Sequence, residues 1–287
     1  MQIKTSGITD VGLQREGNED SFCVEDSIGL YVVADGMGGH LAGEVASKVA
    51  VEIINKSCSR WIASSAPPDE LFGYSDQSLS REGNYILSSI RLANRIIYEM
   101  GQGYEQYRGM GTTISAVLVT PSLIVAANVG DSRIYIVRDD RIERLSKDHT
   151  IVSEQVDMGV MTDEEAAVSP LRHILTRNLG SVENVDADVF ELEPFDNDRI
   201  ILCSDGLTDL VSDEEILEIT QKEDDPDTLC KKFVEKARSR GAHDNTTVVS
   251  VYLCDVKKRR NGLLRKVGVG IADFLSVFRR ATRKYTP

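Results

Sequence analysis

Two segments of the chain repeat one design. Leu30-Tyr31-Val32-Val33-Ala34 runs into Asp35-Gly36-Met37-Gly38-Gly39-His40, and Arg199-Ile200-Ile201-Leu202-Cys203-Ser204 runs into Asp205-Gly206-Leu207-Thr208-Asp209. Each puts an aspartate where an apolar strand ends, followed by a glycine that can take unusual dihedral angles or leave room for a close ligand. Either one alone is equally well read as an ordinary Asp-Gly turn. Three more strand edges repeat the idea: Asn128-Val129-Gly130-Asp131-Ser132-Arg133, His243-Asp244-Asn245-Thr246-Thr247 and Asn18-Glu19-Asp20. Five carboxylate positions gathered on one edge would repel one another strongly and call for cations to neutralise them. Their ligand atoms are hard oxygens, which select Mg²⁺ or Mn²⁺ over zinc or copper. The four histidines form no H-x-x-x-H pair, which argues against a zinc hydrolase. Two such ions about 4 Å apart lower the pKa of a bridging water and hold it for in-line attack on phosphorus. Arg15, three residues before Asn18, offers a planar, bidentate clamp for phosphate oxygens.

The elements that must position these groups follow from hydrophobic periodicity. Residues 21–24, 29–34, 113–119, 123–128, 133–137, 198–203 and 246–251 read as strands, several bounded by Gly or Asp as hairpins require. Helical spacing covers about 43–63, 83–107, 213–221 and 226–240. Early strands, two long helices, a run of strands and two more helices favour antiparallel sheets with helices outside, an α+β arrangement, over a parallel βαβ fold. Asp148 to Asn178 is mixed, with two short helical pieces, and reads as an insertion over one edge of the sheets. Thr112-Thr113 begins a strand, Asp139-Asp140 is a hairpin turn, and Glu223-Asp224-Asp225 is a solvated loop between helices.

In these motifs the chain resembles the PPM phosphatases, of the protein phosphatase 2C type, and particularly their bacterial members. The matching stretches are Arg15-Glu16-Gly17-Asn18-Glu19-Asp20, Asp35-Gly36-Met37-Gly38-Gly39-His40, Gly111-Thr112-Thr113, Gly130-Asp131-Ser132-Arg133, Asp148-His149, Ser204-Asp205-Gly206-Leu207 and Asp244-Asn245-Thr246-Thr247. Each is weak alone; seven in the family's order, over about residues 7 to 253, are strong. The resemblance implies an α-β-β-α sandwich and hydrolysis of phosphoserine and phosphothreonine in proteins by water or hydroxide bridging two Mn²⁺ or Mg²⁺ ions. It implies that Asp35 bridges both metals, with the Gly36 carbonyl on one, while Asp205 and Asp244 hold the other. Glu19 and Asp20 would orient metal-bound waters and Arg15 would bind the substrate phosphate, so Arg15, Asp20 and Asp35 are the expected catalytic residues. A third ion would take Asp131 with Asp205. Residues 148–178 correspond to the family's flap, near the site. Two departures stand out. Met37 occupies a position where many eukaryotic relatives have a histidine assigned as general acid, and Ser169 stands in the flap where relatives often carry histidine.

Blander readings apply to the remaining polar groups. His40 is expected as a structural partner beside the site, His149 and His173 as surface residues, and Asp209 as a helix cap or surface acid. His243 precedes a candidate ligand and has a smaller claim on the site.

The whole chain of 287 residues carries −13, unevenly. From Lys257 to Pro287 there are ten Lys or Arg and one acid, Asp273, a charge of +9, so the rest carries −22. An acidic body argues against nucleic acid as a partner and suits a collector of divalent cations. The expected organisation is a catalytic domain over 1–256 and a basic tail over 257–287. In the tail, Leu263, Leu264, Val267, Ile271, Phe274, Leu275 and Phe278 recur at helical spacing among the cations. That pattern suits an anionic membrane surface, or docking on the body or a protein partner. Five scattered cysteines support neither a disulfide framework nor a zinc site, and the N-terminus lacks the apolar stretch of a signal peptide. The expectation is a cytoplasmic monomer, peripheral to the inner membrane face if the tail binds lipid, acting against a serine/threonine kinase. Two rivals remain: a phosphoprotein-binding module without turnover, and a phosphatase of a small phosphorylated metabolite.

Overall fold

The computed structural model describes residues 1–38 and 41–256; the expectations for His40 and for the tail fall outside the described residues. Eleven strands and seven α-helices are described. One sheet runs in the order β1 (Gln2–Asp10), β11 (Thr246–Cys254), β10 (Arg199–Cys203), β7 (Arg133–Arg138), β8 (Arg141–Arg144). The other runs β2 (Asp20–Glu25), β3 (Leu30–Met37), β5 (Ile114–Val119), β6 (Ile124–Val129), β9 (Asp188–Leu192), with the short β4 (Gly111–Thr112) also pairing β3. Every strand pair is antiparallel.

Strand alternation explains why the central strands read as unbroken apolar runs. On β3, Tyr31 and Val33 turn into a core between the sheets, where they join Val117, Ile134, Leu202 and Val249. The intervening Leu30, Val32 and Ala34 turn the other way, against α1 (Ala42–Ser64) and α2 (Arg81–Gly103). On β10, Ile200 and Leu202 face the inter-sheet core, while Ile201 and Cys203 pack on Leu229 and Phe233 of α7 (Pro226–Ser239) and Ile216 of α6 (Asp213–Lys222). A strand covered on both faces has no polar side. The result is the expected α-β-β-α sandwich, with three apolar layers separating four layers of elements.

Besides the two-residue β4, the strands absent from the sequence reading are β1, β8 and β9, and these three lie at sheet edges. They are mostly half-buried or exposed, so they lack the apolar signature of the central strands. The second long helix stops at Gly103, short of the expected Tyr107, because Tyr104 turns extended and its N–H closes on the Met100 carbonyl. Asp139 and Asp140 both take left-handed φ, 49° and 59°, in the two-residue turn joining β7 to β8. Two short helices, α3 (Ile151–Asp157) and α4 (Asp163–Ala167), form the flap, and α5 (Asp205–Thr208) begins at the second Asp-Gly. Among the described residues, no helix is long and apolar enough to cross a membrane.

Candidate metal centre and active site

Register brings the carboxylates together. Asp20 and Asp35 are direct cross-strand partners on β2 and β3. In the other sheet Cys203, the last residue of β10, pairs with Arg133 at the start of β7 and with Val248 near the start of β11. That register puts Asp205, Asp131 and Asp244 at the same end of their sheet. Both sheets open onto one cavity of about 590 Å³, whose walls include Arg15, Glu19, Asp35, Asp131, Asp205 and Asp244. Asp20 lies beneath them, 5% exposed. Every site residue expected from the sequence therefore lies in or under one cavity.

Local chemistry holds each group. One oxygen of Asp20 accepts hydrogen bonds from the Ser204 hydroxyl at 2.8 Å and the Thr247 hydroxyl at 2.7 Å. The Asp35 main chain is pinned through its N–H to Thr113 Oγ1 and through its carbonyl to the Thr112 hydroxyl. Glu19 is fixed by its N–H on the Asn245 side chain, which also donates to the Val11 and Gly17 carbonyls. Asn245 thus clasps the whole Arg15-to-Glu19 loop, a role that nothing in its sequence spacing signals. The glycines serve close backbone approach. A Cβ on Gly36 would sit 2.2 Å from the Gly43 carbonyl oxygen and 2.6 Å from that of Glu19, and one on Gly206 would sit 1.9 Å from that of Asn245.

The electrostatics show what the cavity is suited to hold. Burial pushes Asp20 up to about 7 and Asp131 up to about 8, and it holds Asp35 well above the usual carboxylate range, with the neighbouring aspartates adding to each shift. Glu19 is raised by burial, against the pull of Arg15. For Asp205 burial is the largest influence and opposes the charge, but His173, the hydrogen bond with Asp35 and the nearby His243 together outweigh it, and the net shift is downward. Asp20 Oδ1 and Asp205 Oδ1 are buried without any hydrogen-bond partner. Orphaned carboxylate oxygens beside other carboxylates are costly unless a cation meets them. An all-oxygen donor set of this kind fits Mn²⁺ or Mg²⁺.

Arg15 sits on the cavity rim, where its guanidinium bonds Asp244 at 2.6 Å. One histidine reading needs correction. His149 is 2% exposed, not a surface residue. Its Nδ1 accepts the Gly130 N–H at 3.1 Å and its Nε2 faces Asp188 at 3.2 Å, so it braces the strand end that carries Asp131. His173 lines the cavity, with Nδ1 3.7 Å from Asp205 and Nε2 3.5 Å from Asp209. His243 meets Asp209 at 3.2 Å. Asp209 does follow α5 as its C-cap, but its side chain is turned inward between these rings, 17% exposed. Its four-residue spacing from Asp205 was the available signal. One Cys-x₅-Arg spacing exists, Cys254 to Arg260, but it has no intervening glycine to cradle phosphate and Cys254 closes β11 at the end remote from the cavity.

A model of the family described as protein phosphatase 2C matches residues 14–224. The chain belongs to the protein phosphatase 2C family. The serine/threonine phosphatase stp of Listeria innocua is 35% identical to it over 248 residues, covering 85% of this chain and 93% of the Listeria protein. Among solved structures, the serine/threonine phosphatase PstP/Ppp of Mycobacterium tuberculosis superposes with a TM-score of 0.76 at 33% identity, over 88% of this chain and 99% of that one. A PstP catalytic domain in complex with two manganese ions superposes at 0.74 with 32% identity, over 88% and 99% of the two chains. This protein phosphatase 2C chain thus shares its fold with these phosphatases, one of them manganese-bound, over 88% of its length.

Proposed function

We propose that this cavity binds two Mn²⁺ or Mg²⁺ ions and hydrolyses phosphoserine and phosphothreonine on other proteins. The observation that carries the reading is the pair of buried, partnerless oxygens on Asp205, in the wall of one carboxylate-lined cavity with Arg15 at its rim, and on Asp20 beneath it. Asp35, the Gly36 carbonyl, Asp205 and Asp244 would hold the two ions. Asp131 together with Asp205 forms a third, outer position. When bound, the ions neutralise the carboxylates and supply an activated water for in-line attack on phosphorus.

The chain's own groups do the rest. Asp20, aimed by the Ser204 and Thr247 hydroxyls, and Glu19, aimed through Asn245, orient water protons. Arg15, on the cavity rim beside Asp244, offers a planar fork that suits two phosphate oxygens. Met37, in the cavity wall, has no proton to offer a leaving alkoxide, so that proton comes from water.

The substrate is a phosphorylated protein, set against an opposing serine/threonine kinase in the cytoplasm, and the working unit is a monomer. The domain organisation is a catalytic unit over 1–256 with the flap at about 148–178, followed by the tail. The basic tail makes a peripheral contact with an anionic membrane or a protein. Turnover of a phosphopeptide library is to be compared with turnover of a panel of small phosphorylated metabolites, both with Mn²⁺. Efficient hydrolysis confined to the phosphopeptides supports the reading. Efficient hydrolysis of one metabolite, with slow peptides, replaces it with a metabolite phosphatase.

A further inference from the structure

At its base the flap is zipped to itself and to the strand end that carries Asp131. The His149 N–H bonds the Gly130 carbonyl at 3.0 Å, and the Thr176 N–H bonds the His149 carbonyl at 2.8 Å. The Ile151 N–H closes on the Ile174 carbonyl at 3.0 Å, so both ends of the flap meet at His149. The buried His149 ring repeats the contact, its Nδ1 accepting the Gly130 N–H at 3.1 Å. One histidine therefore holds both backbone groups of Gly130. A ring nitrogen that accepts a backbone N–H carries no proton, so the hydrogen-bond pattern assigns the ring proton to Nε2. That proton points to Asp188 Oδ2 at 3.2 Å. Asp188 is the cross-strand partner of Asn128, and its other oxygen accepts from Arg177, at the far end of the flap, at 3.1 Å. On the other side of Asp131, Ser132 bonds Thr113 Oγ1 at 2.7 Å, the oxygen that also takes the Asp35 N–H. Asp131 is strung between two held residues, and the hold on Gly130 runs to the flap.

We propose that His149, kept in its Nε2–H tautomer by Asp188, is a positioning residue that couples the seating of the flap to the placing of Asp131. Its effect on turnover rests on the reading of Asp131 as a metal ligand; the tautomer rests on hydrogen bonding alone. A shift of the flap base moves the His149 ring and main chain together and carries Gly130, next to Asp131, with them. The other tautomer would set an N–H against the Gly130 N–H, leaving a buried donor unsatisfied. An ionised Asp188 only accepts, so it selects the tautomer that keeps the Gly130 bond. Neither His149 nor Asp188 belongs to the cavity wall, so their influence reaches the site through Gly130.

The test uses the full chain. Nitrogen NMR of the His149 ring, assigned by its disappearance in His149→Asn, is expected to show the proton on Nε2 alone, and Asp188→Ala is expected to lose that fixed tautomer. The Mn²⁺ concentration for half-maximal hydrolysis of a small aryl phosphate should rise about 10-fold in His149→Ala, the lower end of the usual outer-partner effect. KM for the aryl phosphate at saturating Mn²⁺ should not change. His149→Asn, whose side-chain oxygen can accept the Gly130 N–H, should recover most of the loss, and Asp188→Asn should recover most of that in Asp188→Ala. In an Asp131→Asn background, His149→Ala and Asp188→Ala should add nothing further, because both act through Asp131. A ring proton on Nδ1 overturns the proposal, as does an Asn variant no better than Ala at both positions, or a full additional rise in the Asp131→Asn background. If wild type binds Mn²⁺ but turns nothing over, the phosphatase reading falls. The same comparisons, made on Mn²⁺ bound at dialysis equilibrium, then decide this proposal separately.

Discussion

Asp205 uses its two oxygens differently. Oδ1 is buried and unpartnered toward the carboxylate cavity, while Oδ2 faces His173. On the proposed reading Asp205 is a metal ligand, so the cost of losing it should exceed the roughly 10–100-fold penalty of losing an outer-shell partner. Asp205→Ala is therefore expected to cut phosphatase turnover by more than about 100-fold at any Mn²⁺ concentration, measured as phosphate release. Arg15 is read as a substrate clamp, and a charge-assisted contact is worth about 1.5–3 kcal/mol. Arg15→Ala should thus lower kcat/KM by roughly 10–100-fold, mainly through KM. Arg15→Lys should recover little of it, because an ammonium cannot reproduce the fork. A lowered kcat with unchanged KM would contradict the clamp. At this scale the strand-end aspartates were legible because each follows an apolar run. His173 was not, because its meeting with Asp205 and Asp209 depends on how the flap closes over α5.

The elements that matter most are the strand-to-helix turn at Gly206 and the loop clasped by Asn245. A methyl on Gly206 would drive into the Asn245 carbonyl, forcing α5 away from β11. Overpacking of this kind costs about 1–3 kcal/mol. Gly206→Ala is expected to lower the denaturation midpoint accordingly and to weaken Mn²⁺ binding through displaced Asp205. Unchanged stability and Mn²⁺ affinity would show that the turn tolerates the methyl. Central strands and long helices were readable since each carries a continuous or periodic apolar face. The edge strands β1, β8 and β9 were not, since none of their residues is fully buried, and β1 and β9 also pair with strands far away in sequence. Gln2, for example, pairs with Cys254.

At the scale of the whole molecule, concentrated acid couples stability to pH and to metal. Asp20 at about 7 and Asp131 at about 8 are raised above their unfolded value of 3.8, so without metal the folded state binds more protons than the unfolded one between those limits. Stability of the metal-free protein is then fully present at low pH with respect to these groups and is lost as pH rises from about 4 to about 8. Metal-free protein should melt lower at pH 8 than at pH 6, and Mn²⁺ should raise the melting temperature more at pH 8, where the carboxylates are free of protons. A stability that rises over this range without metal would contradict the burial account. The charge asymmetry read from the sequence makes a separate prediction: a chain ending at Val256 should lose binding to anionic vesicles, and equal binding by both chains would remove the membrane role of the tail.

The most direct measurement is phosphate release from a phosphothreonine peptide by the full chain, with and without Mn²⁺, beside Asp205→Ala. The account predicts turnover that needs the metal and vanishes in the variant. A folded wild-type protein that releases no phosphate at ample Mn²⁺, or a variant as active as wild type, would contradict it and favour a phosphoprotein-binding module or a different catalytic centre.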